Sequence, residues 1–444
     1  MTSLAIEIAI KRILRTPGIS LLVVGALAIG VGLVMPMVTL YYNISGNPMS
    51  ANGDTTYRVL VGEPRSGEDS MPAIKMDSDL ALRVMDVLGE TRQAVSYSSF
   101  QNVRNAPDDP ITRPMFTEVR VTTRGFFTMF DAPVRYGSIW SDVDDQKINN
   151  VAVLGHATNV RLFGGENSVG RRFRLGDDEY TVVGVLDRWP LVPRIYDIGR
   201  TGNAKPEGVF VPLSGFERPG IEPFDFSFVA GDRNTRARSG AVEFVTFWVQ
   251  LNDASSFERV QKQLAMLTQS STTDQPRSWA VYSADDWVLM SPDLQNRKRI
   301  YRAFILINLC FFCVCLFNLL SLLLAKVFAQ ASETSLLRAL GASRIGVFGT
   351  YMLEVAILGV VGAVLSIFVS RAAMNGLYWL YVDNLPSKFQ ELQMQEGTEL
   401  IYAQVDLALL VMTLATGLLG ALLSVAVPAL RASQTHMAEH LKAS

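Results

Sequence analysis

From Gly18 to Tyr42 the chain carries no charged residue, and that run limits the possible folds more than any other feature. About 20 consecutive apolar residues cross the hydrocarbon core of a bilayer, whereas a soluble helix spreads its apolar residues periodically. Three further runs lie near the other end: Ala303–Ala325, Val355–Ser370 (extendable back to Gly346) and Leu407–Leu430. A long polar stretch separates the first run from the other three. The pattern excludes a simple soluble globule and predicts a membrane protein with four transmembrane helices in a 1+3 order. A large α+β domain then lies between spans one and two. Only 18% of residues are charged, against about a quarter in ordinary globular chains, and the deficit sits in the spans. A formal charge of -2 supplies no broad basic face, which excludes nucleic acid as the main partner.

The expected segments are 1–17 (amphipathic), 18–42 (first span), 43–300 (large domain) and 301–328 (second span). They continue with 329–345 (connector), 346–372 (third span), 373–405 (loop), 406–430 (fourth span) and 431–444 (tail). A signal peptide has a shorter apolar region, about 7–15 residues, and a small-residue cleavage site. The first run is longer and ends in Thr39-Leu40-Tyr41-Tyr42, so it reads as an uncleaved anchor. Pro36 within it either loosens the outer end or is a tolerated membrane proline. Basic residues near the span ends set the orientation. Lys11, Arg12, Arg15, Lys326, Arg338, Arg344, Arg431 and Lys442 all fall on one side if both termini are cytoplasmic. The 373–405 loop, with Asp383, Glu391, Glu396 and Glu399 against Lys388, then lies outside. Arg297, Lys298, Arg299 and Arg302 also lie outside, but in a long translocated domain, where the rule acts weakly.

Within 43–300, Thr55–Gly62 reads as a strand and Ser78–Leu88 as an amphipathic helix presenting Leu80, Val84, Val87 and Leu88. Pro114–Thr122 reads as another strand. A second series follows: strand Ala241–Leu251, helix Ser255–Leu267, strand Ser278–Ser283, and a helix from Ala284 onwards. From Asp293 to the second span there is neither Gly nor Pro, which predicts a rigid rod entering the membrane. Between the two series, about 124–240, short strands at Val151–Leu154, Arg172–Leu175, Tyr180–Leu186 and Gly208–Pro212 alternate with turn formers. This stretch is expected to be a β-rich subdomain inserted into the first. Arg233, Arg236 and Arg238 form a basic segment that reads as a solvated loop, with a partner-protein or anionic-glycan contact as the alternative.

Catalytic and metal-binding patterns are scarce. Gly165-x-x-x-x-Gly170 is followed by Arg171-Arg172, without the lysine and hydroxyl of a phosphate loop. Three histidines, His156, His436 and His440, poorly supply a metal site or triad. Cys310, Cys313 and Cys315 fall within the second span without acidic or histidine partners, and read as small packed residues. No metal and no directly bound cofactor is therefore expected. Lys326, Glu354, Arg371 and Asp406 are placed at span edges, leaving the centres without the ionisable groups that ion-coupled transporters carry. Small residues recur four apart, with Gly30, Gly32, Gly359, Gly362, Gly417 and Gly420 as expected helix-packing positions. Such spacing lets helices approach closely and build a dimer interface, or equally reflects the general richness of membrane helices in small residues.

The connector reads as a short helix. Ala331-Ser332-Glu333 starts it, Leu336, Leu337 and Leu340 give an apolar face, Arg338 suits its end, and Gly341 stops it. It is either a docking knob for a cytoplasmic partner or an interfacial helix on lipid. Here the sequence becomes specific: Ser-Leu-Leu-Arg-Ala-Leu-Gly-Ala at 335–342, then Tyr351-Met-Leu-Glu354 and the Gly359/Gly362 span, resembles the FtsX-like permease domain of ABC transporters. Pro428-Ala-Leu-Arg431-Ala432 is similar to that domain's closing signature. Phe126-Phe127 to Gly137, Val151–Leu154, Arg161–Glu166, Val169-Gly170-Arg171 and Tyr180–Val185 resemble the MacB-type periplasmic core domain.

The resemblance implies a permease subunit in the inner membrane, not an enzyme, whose spans dimerise with a second permease. It implies a porter-like module next to the membrane and a sabre-like inserted subdomain. A cytoplasmic ABC ATPase dimer, holding ATP and Mg, would dock through Glu333, Leu336, Leu337, Arg338, Ala339, Leu340, Gly341 and Ala342. Its closure would be passed along the stalk to the periplasmic domains, exporting a substrate with an adaptor and an outer-membrane channel. Release of lipoproteins, or signalling to periplasmic cell-wall hydrolases, are the alternatives. Two departures stand out. The chain begins near span one, so the ATPase is expected on a separate polypeptide. The usual Arg-x-x-Glu-Ile-Gly is replaced by Ala329-Gln-Ala-Ser-Glu333-Thr-Ser, which keeps the glutamate, loses the basic residues and tilts the choice between homodimer and heterodimer toward the latter.

Overall fold

The computed structural model describes residues 2–45, 52–62, 76–105, 114–189, 194–197, 207–214, 216, 220–223, 244–269, 278–329, 341 and 343–383, with single positions between 411 and 422. Two units result. One comprises 1–45, 297–384 and 402–444, the other 46–296 and 385–401.

The second unit is built on one ten-stranded sheet. Its strands are β1 (Thr56–Gly62), β2 (Gln93–Asn105), β3 (Met115–Thr122), β4 (Val134–Gly137), β5 (Val151–Leu154), β6 (Arg172–Leu175), β7 (Asp178–Leu186), β8 (Val209–Pro212), β9 (Thr246–Gln250) and β10 (Ser278–Ser283). The order is β10-β1-β9-β2-β3-β8-β5-β7-β4, and β6 pairs with both β2 and β7. That double pairing closes β2, β3, β8, β5, β7 and β6 into a hydrogen-bonded ring, which removes most open edges. β2 serves both halves. Its start, Gln93–Ser96, pairs with β9, and its end, Val103–Asn105, pairs with β6. The strands of 124–240 thus hydrogen-bond into the same sheet as the flanking series, through a strand that sequence reading did not assign. The run QAVSYSSFQNVRN is serine-rich, and its polar residues hide the alternation.

Both sheet faces are covered, so neighbouring residues of one strand enter different cores. Val59, Val95, Val119, Ala152, Val209 and Val249 belong to one core, closed by the helices Ser78–Leu88 and Ala254–Gln269. Leu60, Ala94, Val153, Phe210 and Trp248 belong to the other, closed by Gly125–Met129 and Ala284–Met290. The helix Ser78–Leu88 begins where Asp77 accepts the Leu80 amide at 2.8 Å, and buries Leu80, Ala81, Val84 and Leu88. Ala284 starts a shorter helix than expected. It ends at Met290, and a new helix starts at Pro292, where proline's fixed φ suits the first turn.

In the first unit, Thr2–Arg15 is an amphipathic helix, and Pro17–Ser45 continues as helix through Pro36. Pro292–Ala329 is unbroken for 38 residues, and Arg344–Asp383 for 40. Among the described residues, three helices are long and apolar enough to cross a membrane: Pro17–Thr39, Leu294–Lys326 and Ile345–Gly376. The fourth expected span, 406–430, lies mostly outside the described residues, though Val411, Met412 and Leu418–Gly420 are helical.

Candidate functional site

Of the expected docking residues, Glu333, Leu336, Leu337, Arg338, Ala339, Leu340 and Ala342 lie outside the described residues. Gly341 is described, with φ +94°, a conformation that favours glycine. The helices on either side of this connector meet at a buried ion pair. Lys326, near the end of Pro292–Ala329, pairs with Glu354 of Arg344–Asp383, and the two side chains are only 3% and 2% exposed. Lys326 Nζ also donates to Ser20 Oγ at 3.2 Å, so the first span joins the same point. One turn before Glu354, the Tyr351 ring lies 5.2 Å from the Arg12 guanidinium of the amphipathic helix. Sequence reading placed Lys326 and Glu354 at span edges without bringing them together. Each is a single charge in an apolar run, and their separation in sequence hides the pairing.

The small residues meet neighbouring helices of the same chain. A Cβ on Gly32 would stand 2.7 Å from Val369 Cβ and 2.9 Å from the Ser366 carbonyl oxygen. One on Gly362 would stand 2.9 Å from Leu27 Cβ, and one on Gly30 3.1 Å from Cys315 and Phe312. Gly420 faces Leu316 and Phe312, Gly359 is buried, and Gly417 lies outside the described residues. First and third spans therefore approach with backbone almost touching side chain, as small-residue packing allows. Cys310 and Cys313 are exposed on the second-span helix, whereas half-buried Cys315 packs beside Gly30.

In the sheet unit the main polar feature went unread from sequence. On the face shared with Trp248 and Phe210, Arg120 of β3 donates from Nε to Glu207 at 2.6 Å and from Nη2 to Asp197 at 2.7 Å. Arg194 lies 3.3 Å from Glu207, and Tyr196 Oη donates to Glu207 Oε2 at 3.1 Å. Arg120 Nη1 reaches Ser96 Oγ at 3.4 Å, and Ser96 in turn bonds Thr246 of β9 at 2.8 Å. Arg58 of β1 donates to the Tyr196 carbonyl and lies between the Trp248 and Trp287 rings, 5.2 and 5.6 Å away. Trp287 donates to the Ile195 carbonyl at 3.2 Å. Burial opposes charge throughout. On Glu207 it is outweighed by Arg120 and Arg194, which hold the carboxyl below its usual range. Arg58 has less compensation, and burial lowers it to about 9. Burial, reinforced by Glu207, raises the Tyr196 phenol well above its ordinary value. Because these groups face inward and one another, the network clamps the 194–197 and 207 segments to β1, β2, β3 and β9. The alternation in MFTEVRVT gave β3 from sequence, but not that its Glu118 and Arg120 face a second core.

Among the described residues no group of three His, Cys, Asp or Glu side chains is placed to hold a metal ion.

A family model for the MacB-like periplasmic core domain matches residues 20–267, and one for the FtsX-like permease C-terminal matches residues 305–437. No curated protein matches the chain. Among solved structures, the extracellular domain of the noncanonic ABC-type transporter YknZ from Gram-positive bacteria is similar at 13% identity. The match covers 51% of this chain and 99% of that one, with TM-score 0.32. The periplasmic region of MacB from Actinobacillus actinomycetemcomitans matches at 13% identity, over 55% of this chain and 94% of that one, with TM-score 0.34.

Proposed function

This chain belongs to the ABC transporter permeases that join a MacB-like periplasmic core domain to an FtsX-like permease domain, and we propose that it converts ATP-driven closure of a partner ATPase into movement of its periplasmic domain. The family consists of permease subunits rather than enzymes, and it supports an inner-membrane protein with a periplasmic domain. In this reading the ATPase dimer holds ATP and Mg and docks at 333–342, while a second permease completes the pair. The periplasmic domains of the two permeases then rearrange to export a substrate already outside the inner membrane, handing it through an adaptor to an outer-membrane duct.

The observation that carries this reading is the helix Pro292–Ala329. Leu294 in its first turn is buried in the sheet unit's own core, and the helix continues without interruption past Lys326. A continuous helix transmits displacement that a flexible linker would absorb. Among the described residues of the spans, the buried pair Lys326–Glu354 is matched in charge, unlike the ionisable clusters that couple transport to an ion gradient.

The test is recruitment. Glu333→Ala and Arg338→Ala should abolish co-purification of the ATPase while the permease remains inserted and folded. Unchanged co-purification of both variants would remove the connector from the docking role.

A further inference from the structure

Three observations in the span unit belong together. The first is the fixed point: Lys326, Glu354 and Ser20 bring one residue from each of three helices into a buried polar contact. The second lies far along the same helices, where Met37 and Met374 pack with Tyr301 and Ile305. From Glu354 to Met374 is twenty residues, about 30 Å of helix, so the two contacts stand roughly one hydrocarbon thickness apart. One is ionic, directional and fixed by partner position. The other is methionine-rich, and methionine side chains repack without a preferred register.

The third observation is uneven packing. In the most apolar window of each span, 56% of the first, 39% of the third and only 11% of the second is buried within the chain. Gly32 and Gly362 explain the tightness of the first and third, where backbone meets Val369 and Leu27 directly. The second-span helix holds its one buried ion pair at Lys326; Leu319, Leu323 and Cys315 give it apolar contacts, and at its far end it meets the first span through an exposed Arg302–Tyr41 hydrogen bond of 3.1 Å. Beyond Glu354, the third-span helix runs on to Arg344, an arm of ten residues or about 15 Å that leads to the connector.

We propose that the Lys326–Glu354 pair is the pivot of the permease: the second-span helix swings about it, against a first and third span that move as one body. The inference rests on the coupling reading above and adds where the rotation is centred. A push on the connector acts through the 15 Å arm of the third-span helix, turning the first and third spans together relative to the second, so that the contact at Met374 slides past Tyr301 and Ile305. With the far contact about 30 Å away, displacement there is about twice that at the connector. An ionic pair suits a pivot because separating it would leave an uncompensated charge in an apolar setting, whereas rotation about it keeps both charges satisfied. Lys326 and Glu354 are thus positioning residues, acting through the helices they join.

The test uses the full permease with its ATPase in nanodiscs, with the three cysteines replaced by alanine and nitroxide labels at positions 304 and 375. Electron-electron distances are compared without nucleotide and with ATP trapped. The unmodified pair should show a nucleotide-dependent shift. The neutral double variant Lys326→Met/Glu354→Leu should insert and co-purify with the ATPase but lose that shift, and the exchanged pair Lys326→Glu/Glu354→Lys should restore it. A neutral variant that keeps the full shift overturns the pivot. So does one that fails to insert, because the pair is then only structural. An unmodified permease that recruits the ATPase but shows no shift also overturns it. If the unmodified permease recruits no ATPase at all, it is the coupling reading that fails first.

Discussion

Arg120 and Glu207, 87 positions apart, meet through a 2.6 Å hydrogen bond between Nε and Oε1, with side-chain exposures of 1% and 0%. Nothing in the solvent replaces either partner if the other is removed. Breaking a buried pair from one side costs up to about 3–5 kcal/mol, here because it leaves the network unbalanced by one charge, with Arg120 still beside Asp197 or Glu207 still beside Arg194. Glu207→Ala and Arg120→Ala should each lower the unfolding free energy of the periplasmic domain by that order. The check is denaturant unfolding of the detergent-purified chain, followed by the fluorescence of Trp140, Trp248 and Trp287, which are buried in this core. A loss below about 1 kcal/mol would mean that the pair is held in place rather than holding.

The same carboxylate sets an acid limit. Burial would raise the Glu207 pKa, but Arg120 and Arg194 outweigh it and leave the folded value below the ordinary 4.5. A carboxyl with a depressed folded pKa contributes stability that is complete above its unfolded value. That contribution disappears as pH falls through the folded one. Domain stability should therefore be insensitive to Glu207 from neutrality down to about 4.5 and fall below that. Glu207→Gln, already weaker at neutral pH, should lose less over the same acid interval. Midpoints recorded from pH 7 to pH 3 test it; parallel curves for the two proteins would refute the assignment.

The sequence revealed the first three spans, the helix Ser78–Leu88, the strand Val151–Leu154 and the long helix before Lys326, because each carries its own periodicity or length. It concealed β2, whose serines disguise a strand shared by two parts of the sheet, and with it the ring that β6 closes. The break at Ser291 was also missed, although Pro292 marks it. The polar clusters were the least legible. Arg58, Arg120, Arg194 and Glu207 come from separate elements, and Lys326 and Glu354 from two spans, so only the fold makes them neighbours. Family motifs pointed instead to the connector, whose residues carry their pattern in consecutive positions.

Two glycines of the first span should respond in opposite senses to one methyl group. A Cβ on Gly25 meets nothing within 4 Å, so Gly25→Ala gains helix propensity, up to about 1 kcal/mol. On Gly32 the same atom would press on Val369 and on the Ser366 backbone, and overpacking of this kind costs about 1–3 kcal/mol. Fluorescence-detected size exclusion after heating should place the Gly25→Ala midpoint at or above that of the unsubstituted chain and the Gly32→Ala midpoint clearly below it. Equal midpoints would show that the first and third spans do not depend on this close approach.

The helix Pro292–Ala329 makes a mechanical claim that can be separated from folding and docking. Ala303 is exposed within it, so a substitution there disturbs little packing. Ala303→Pro removes one amide donor and clashes with the carbonyl one turn back, kinking or breaking the rod at a cost of about 3 kcal/mol. Ala303→Leu keeps helix propensity nearly unchanged. If displacement travels along this helix, both variants should recruit the ATPase, since position 303 is remote in sequence from the connector. Only the proline variant should lose the nucleotide-dependent change in amide hydrogen exchange at the helix Ala284–Met290, whose Trp287 bonds the Ile195 carbonyl. That helix suits the measurement because Ala284, Trp287 and Val288 are buried in the same core as Leu294. A proline variant that retains the full exchange response would show that displacement reaches the periplasmic domain by another route, and the continuity of the helix would then be architectural only.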